Sequence, residues 1–345
     1  ALWVGVLLVL PSACLVSPTP PPAEDTAGVD AVEPLTPDQG FQFHIDPFEV
    51  PGGTEVQDCY FVAVPDINHG QDVWINRFKM GQRPGSHHFT VFRVNTIYDL
   101  GGQAGDVVRG GECRISTNWS DWPLVVNSQE SETGTADFDW DLPDGVAQRF
   151  HPGELLMLQT HYVNANIQKT AAGGEARINF YKSSDANPIE MGTLFATQQS
   201  IRICESAPTV SYSGTCSFPP GQDIHIAAAN GHAHSRLTSL DMFTWDGTTI
   251  DHPAESARFY ESLHWDEPPM STDLTAVTPS GGGVWWDCNY QWHEPAVGCD
   301  LVNARDHEQA DDCCYTFGNA AEVAEHCNIF VYYWPKVDDQ SIFCD

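Results

Sequence analysis

The chain has 345 residues, 41% of them apolar, which is enough for a substantial core and suggests two domains or one large one. Forty-seven acidic against 15 basic residues give a net charge of −32, which repels phosphate backbones and argues against nucleic-acid binding. Glycine (28) and proline (24) are plentiful and helix-period patterns are scarce, so an all-β chain with many turns is expected.

The chain opens on "ALWVGVLLVLPSAC", an apolar run too short to span a bilayer as a helix. Residues 1–14 are similar to the end of a bacterial lipoprotein signal, with Cys14 as the lipidated residue. That implies a protein outside the cytoplasm, secreted or attached to a membrane only by an N-terminal lipid. Residues 15–39 read as a proline-rich acidic tether with no core-forming pattern. From residue 40 the pattern becomes strand, turn, strand: "FQFHIDPFEV", "CYFVAVPD", "DVWINRFKM", "HHFTVFRV", "ELLMLQTHYVNA" and "ARINFYKS". A polar turn at 183–195, "SSDANPIEMGTLF", separates two strand-rich halves, 40–188 and 189–345. The second half continues with "QDIHIAAANGHAHS", "LDMFTWDG", "GGVWWDCNY" and "CNIFVYYWPK". Two antiparallel β-sandwiches are the architecture expected.

Eleven cysteines, concentrated in the second half and without a CxxC pair, point to disulfides in an oxidising compartment. If Cys14 carries lipid, ten remain, an even number that allows five bridges.

Six of the 14 histidines stand in pointed contexts. His87 and His88 are adjacent at the start of an apolar strand. A regular strand would send them to opposite faces, so either they are unrelated or the strand is bent to aim both at one object. His161 lies late in a long apolar strand. His232 and His234 are two apart at a strand end and share a face. His326 sits beside Cys327 before another apolar run. Each alone is readable as a hydrogen-bonded strand histidine. Together they offer two groups of three imidazoles, one per half, a donor set that suits copper or zinc. Three protein ligands leave a coordination position open, which favours chemistry over structure.

The ordered motifs "SHHFTVF", "LQTHYVN", "GHAHS" and "HCNIFVYYW" resemble those of the ascorbate-dependent type II copper monooxygenases, the family of peptidylglycine α-hydroxylating monooxygenase and dopamine β-monooxygenase. The resemblance runs from about residue 40 to the end. It implies two jelly-roll domains with one copper ion each, facing each other across a solvent cleft. By it, His87, His88 and His161 hold the copper that stores and passes an electron. His232, His234 and His326 hold the copper where O₂ and a small-molecule substrate meet. Ascorbate restores both ions, and Gln159 stands on the electron path. It also implies the bridges Cys59–Cys113, Cys288–Cys327 and Cys216–Cys344. Cys204, Cys299, Cys313 and Cys314 have no counterpart, and the segment from Cys299 to Cys314 reads as an inserted loop with its own crosslink.

The chain departs from the family at three places. His326 stands where the family has a methionine ligand. Asn230 and Phe330 replace an arginine and a tyrosine that help hold a peptide carboxylate, while Asn328 is kept. Asn230, Asn328 and Phe330 are therefore the candidate substrate contacts, and glycine-extended peptides are disfavoured as substrates. Two other functions compete with a monooxygenase. One is copper capture or delivery by a lipoprotein on the same fold, which the missing methionine favours. The other is zinc hydrolysis at one three-histidine site, which leaves the other three histidines unexplained.

Overall fold

The computed structural model describes residues 27–345 apart from 97–101, 112, 114–121, 130–136, 165–171, 267, 296–297, 300–301, 303–311, 319–320 and 338–341. Cys14 and the signal-like segment lie outside the described residues. The architecture is all-β, and the described residues form five sheets.

In the first half, one sheet orders the strands Gly40–Val50, Ala172–Lys182, Val73–Gln82, Val146–Phe150 and Ile189–Glu190, with Phe138–Asp141 also paired to Val73–Gln82. A second sheet orders Val107–Arg109, Thr54–Ala63, Leu155–Asn164, Ser86–Arg93 and Leu124–Gln129. The aromatic residues Phe41, Phe78, Phe150 and Phe180 of the first sheet share a core with Phe89, Val91, Leu156 and Leu158 of the second. Apolar side chains at every second position leave the sheet on one side, which is why two such sheets bury each other.

In the second half, Val277–Thr278, Ile224–His232, Asn328–Trp334, Gly192–Thr197 and Ile342–Cys344 form one sheet. Thr209–Ser217, Gly283–Gln291, Leu237–Trp245 and Arg258–Ser262 form another. A small third sheet joins Arg202–Cys204, Cys314–Phe317 and Ala324–Glu325. The chain passes between the halves at Met191: Ile189–Glu190 still pairs with Val146–Phe150, and Gly192–Thr197 already pairs with Asn328–Trp334.

The run "NIFVYYW" is apolar at both phases because it serves two cores. Ile329, Val331 and Tyr333 belong to the core of the second half, whereas Phe330 and Tyr332 join that of the first, with Phe195, Ala227 and Ala228. This seam between the halves is also hydrogen-bonded. The Tyr332 hydroxyl donates to Asn127 Oδ1 (2.6 Å) and accepts from the Asn127 amide (2.9 Å), and Thr193 Oγ1 donates to the Leu124 carbonyl (2.7 Å).

The tether reading fails for residues 27–39. A short helix, Ala27–Asp30, lies on the first sheet with Val29 and Val32 fully buried. Arg177 and Asn179 hold this segment through the carbonyls of Val29 (3.3 Å) and Glu33 (2.8 Å). Gly28 permits the close approach, since a Cβ there would lie 2.7 Å from the Gln82 carbonyl oxygen. Two valines three residues apart among small and acidic residues are too short a pattern to announce this packing.

Five disulfides are formed: Cys59–Cys113, Cys204–Cys314, Cys216–Cys344, Cys288–Cys327 and Cys299–Cys313. The three pairs implied by the resemblance are among them. The four remaining cysteines pair so that adjacent Cys313 and Cys314 belong to different bridges. Five disulfides indicate an oxidising, extracytoplasmic environment. Among the described residues no helix is long and apolar enough to cross a membrane.

Candidate metal centre

The adjacent histidines are aimed together by a β-bulge. Along the pairing of Ser86–Arg93 with Leu155–Asn164, Ser86 lies opposite Tyr162 and His88 opposite His161, with His87 as the extra residue between them. An extra residue breaks the strict alternation of faces, so consecutive side chains converge. The ring centroids of His87 and His88 are 5.4 Å apart, and those of His161 lie 5.1 and 5.0 Å from them.

His232 reaches the same place from the other half. A bulge at Ala227 sets the phase of Ile224–His232, so that Ala228 packs in the first core and Asn230 bonds Asn127 across the seam. His232, two residues on, shares that face, and its ring is 5.6 Å from His87 and 5.7 Å from His88. His234 and His326 lie 5.6 and 5.3 Å from His232, and 4.6 Å from each other. The six histidines therefore come together. The solvent cleft implied by the resemblance does not separate the two groups, because the interlocked seam presses the strand ends together.

Burial favours the neutral form of five of these imidazoles. It lowers the pKa of His87 against the pull of Glu55 and Asp266, and takes those of His88, His232 and His234 well below the usual histidine range. His326 is pushed down to about 3, chiefly by burial. A neutral imidazole offers a lone pair, which is what a metal requires. His234 Nδ1 donates to the Ala324 carbonyl (2.9 Å), leaving Nε2 as the ligating atom. His161 Nε2 faces a Glu55 carboxylate oxygen at 3.2 Å, the carboxylate–histidine arrangement that fixes a tautomer. His88 Nδ1 is buried without a hydrogen-bond partner among the described residues. An orphaned imidazole nitrogen in an all-imidazole pocket fits a copper or zinc ion, and copper binds such donors more tightly.

Gln159 lies against the first group. It hydrogen-bonds the His88 imidazole, and its amide is 3.8 Å from both sulfurs of Cys59–Cys113. Asn328 adjoins His326, with Nδ2 3.4 Å from His326 Nδ1. Asn230 and Phe330, expected as substrate contacts, lie instead in the seam between the halves. The Asn230 carbonyl accepts from Asn127 Nδ2 (2.8 Å), and its amide donates to the Pro269 carbonyl (3.1 Å). Phe330 stacks on Phe195 at 5.0 Å. Both residues lie on the side of their strands that faces the first half.

Sequence reasoning missed a buried ion pair behind the second group. Glu325 and Arg236 are 0% and 2% exposed, with Arg236 Nε 3.0 Å from Glu325 Oε2. The carboxylate also accepts from the backbone amides of His234, His326 (2.9 Å) and Arg236 (3.2 Å). Arg236 further donates to the carbonyls of Ala321 (2.6 Å) and Ala324 (2.5 Å) and lies over the Tyr315 ring. Burial raises the Glu325 pKa, and Arg236 with the backbone amides opposes it. Every polar neighbour is a donor, so the ionised form is the one this pocket accommodates. The signal was present as two charged residues, Arg236 and Glu325, each within two positions of a histidine motif in an apolar setting. Of the other histidines, His225 stacks on Trp334 at 4.0 Å, and His252 pairs with Asp287 at 2.6 Å.

No family model matches the chain, and no curated protein matches it. Among solved structures, it is similar to the major capsid protein P2 of bacteriophage PM2 (9% identity, 87% of this chain and 100% of that one, TM-score 0.34). It is also similar to the VP2 protein of infectious bursal disease virus (10% identity, 85% and 69%, TM-score 0.20) and to the PBSX exported protein XepA (8% identity, 75% and 89%, TM-score 0.18).

Proposed function

We propose that the protein is an extracytoplasmic copper monooxygenase. It would bind two copper ions, use O₂ and a reductant such as ascorbate, and hydroxylate a C–H bond of a small organic molecule other than a glycine-extended peptide. In this reading the halves 40–188 and 189–345 are two jelly-roll sandwich domains, and a lipid on Cys14 ties the chain to a membrane. The observation that carries it is the convergence of six histidines, buried or half-buried, from four separate segments. That arrangement leaves several imidazoles desolvated, a cost that a bound ion would offset.

Copper bound there would supply one-electron redox chemistry and O₂ activation, and ascorbate would return it to the reduced state. The residues of the chain do the rest. His87, His88 and His161 present nitrogens from two neighbouring inner strands of one sheet; His232, His234 and His326 present theirs from the other half. Glu55 and the Ala324 carbonyl hold the tautomers of His161 and His234. The Cys59–Cys113 bridge and Gln159 back the first group. The half-buried Phe317 ring meets that of His326 edge-on at 4.9 Å.

A second reading, copper capture or delivery without turnover, is favoured by His326 standing where the family has a thioether, since thioether sulfur suits Cu(I). Oxygen uptake separates them. The protein is loaded with two equivalents of copper, given ascorbate under air, and offered a panel of small substrates. Substrate-dependent consumption with a hydroxylated product supports the enzyme. Copper binding with no coupled uptake across the panel supports the carrier, and failure to bind copper refutes both.

A further inference from the structure

We propose that His87, His88, His232, His234 and His326 form one metal centre spanning both halves, in which His232 bridges two ions as an imidazolate, one ion on each ring nitrogen with its N–H proton released to solvent, and the bound ions interact magnetically. The identity of the ion rests on the copper reading above. Two sets of three histidine nitrogens converge among the described residues: those of His87, His88 and His232, and those of His232, His234 and His326, each set lying within 4.8 Å. Two nitrogens bound to one ion at about 2 Å are at most ~4 Å apart, so a shift of under ~1 Å closes either set around an ion.

The position of His232 is built into the fold. Its strand is locked to the first half by Ala228 in the shared core and by Asn230 on Asn127, and His232 continues the same face. His161, by contrast, turns Nε2 to Glu55 and meets His87 and His88 edge-on. Its nitrogens fall outside the set that those of His87 and His88 make with His232. An ion held by His87 and His88 draws its nearest further nitrogen from the opposite half. Electrons exchanged between two ions in such a centre need no passage through a water-filled gap, and occupancy pins the halves together.

The test needs no turnover. Wild-type protein is loaded with two equivalents of Cu(II), and its electron paramagnetic resonance signal is integrated against total copper. A single shared centre gives a spin count well below the copper content, or a half-field transition. His232→Gln should weaken both equivalents by at least roughly tenfold in chelator competition, whereas His234→Gln should weaken only one. Circular dichroism checks the fold of each variant; if His232→Gln does not fold, the wild-type spectrum decides. Two isolated signals that account for all the copper would overturn the shared centre and leave the two-copper reading standing. So would a folded His232→Gln variant that loses one ion with the other unaffected. A protein that binds no copper overturns both.

Discussion

Removing the buried carboxylate behind the second histidine group should be among the costliest single changes in the chain. In Glu325→Ala, the guanidinium of Arg236 keeps its carbonyl partners but loses its counter-charge at 2% exposure. The amides of His234 and His326 lose their acceptor at the same time. Breaking a buried pair from one side costs about 3–5 kcal/mol, and each orphaned amide adds about 1 kcal/mol or more, so a loss of about 5 kcal/mol is expected. That is a third or more of the stability of an ordinary domain. Urea unfolding of the oxidised, metal-free protein, followed by tryptophan fluorescence, measures it. The double variant Glu325→Leu with Arg236→Met should recover part of the loss, because an apolar pair leaves no stranded charge. Its copper affinity should stay low, because the two histidine-bearing segments are no longer tied to one carboxylate. A cost below about 1 kcal/mol for Glu325→Ala would show that water reaches the pair, and the reasoning would fail.

Metal-free protein should lose stability as the pH falls from about 6.5 towards 3. Imidazoles with folded pKa values depressed by burial take up protons more readily when unfolded, so each contributes fully above its unfolded pKa and progressively less below it. The slope is about 1.4 kcal/mol per pH unit for each such histidine; an unfolding midpoint unchanged between pH 7 and pH 5 would contradict it. Tyr332→Phe strips Asn127 of two hydrogen bonds in the seam and should cost about 2 kcal/mol, with exchange protection lost in both halves together; loss confined to one half would show that the seam does not couple them. Reduction of the disulfides should loosen the second half more than the first, since four of the five bridges lie there; equal exchange in both halves would argue otherwise.

Strand positions were legible because alternation and turn residues report them directly, as in "HHFTVFRV" and "ELLMLQTHYVNA". The histidine positions were legible as motifs, but their arrangement was not. The bulge at His87 depends on the register between two strands far apart in sequence, and no local pattern encodes it. The meeting of His232 with His87 and His88 depends on how two sheets dock. The same holds for Asn230 and Phe330, which the resemblance marks as substrate contacts and which face a partner surface that only the folded chain supplies. Arg236 and Glu325 were overlooked because isolated charges usually mark solvent-facing positions, and burial reverses their meaning.

The double phase of Asn328–Trp334 bears on how divisible this protein is. A strand that feeds two cores makes the seam part of each half's interior and not a removable contact. Cut at Met191, the second half would present Phe195, Phe330 and Tyr332 to water as an adhesive patch, and the first would lose the rings that cap its own interior. The halves are thus unsuited to separate expression or to grafting onto other scaffolds. Any change that retunes one must be compatible with the shape of the other, which makes the pair, and not the single sandwich, the unit that is inherited and engineered.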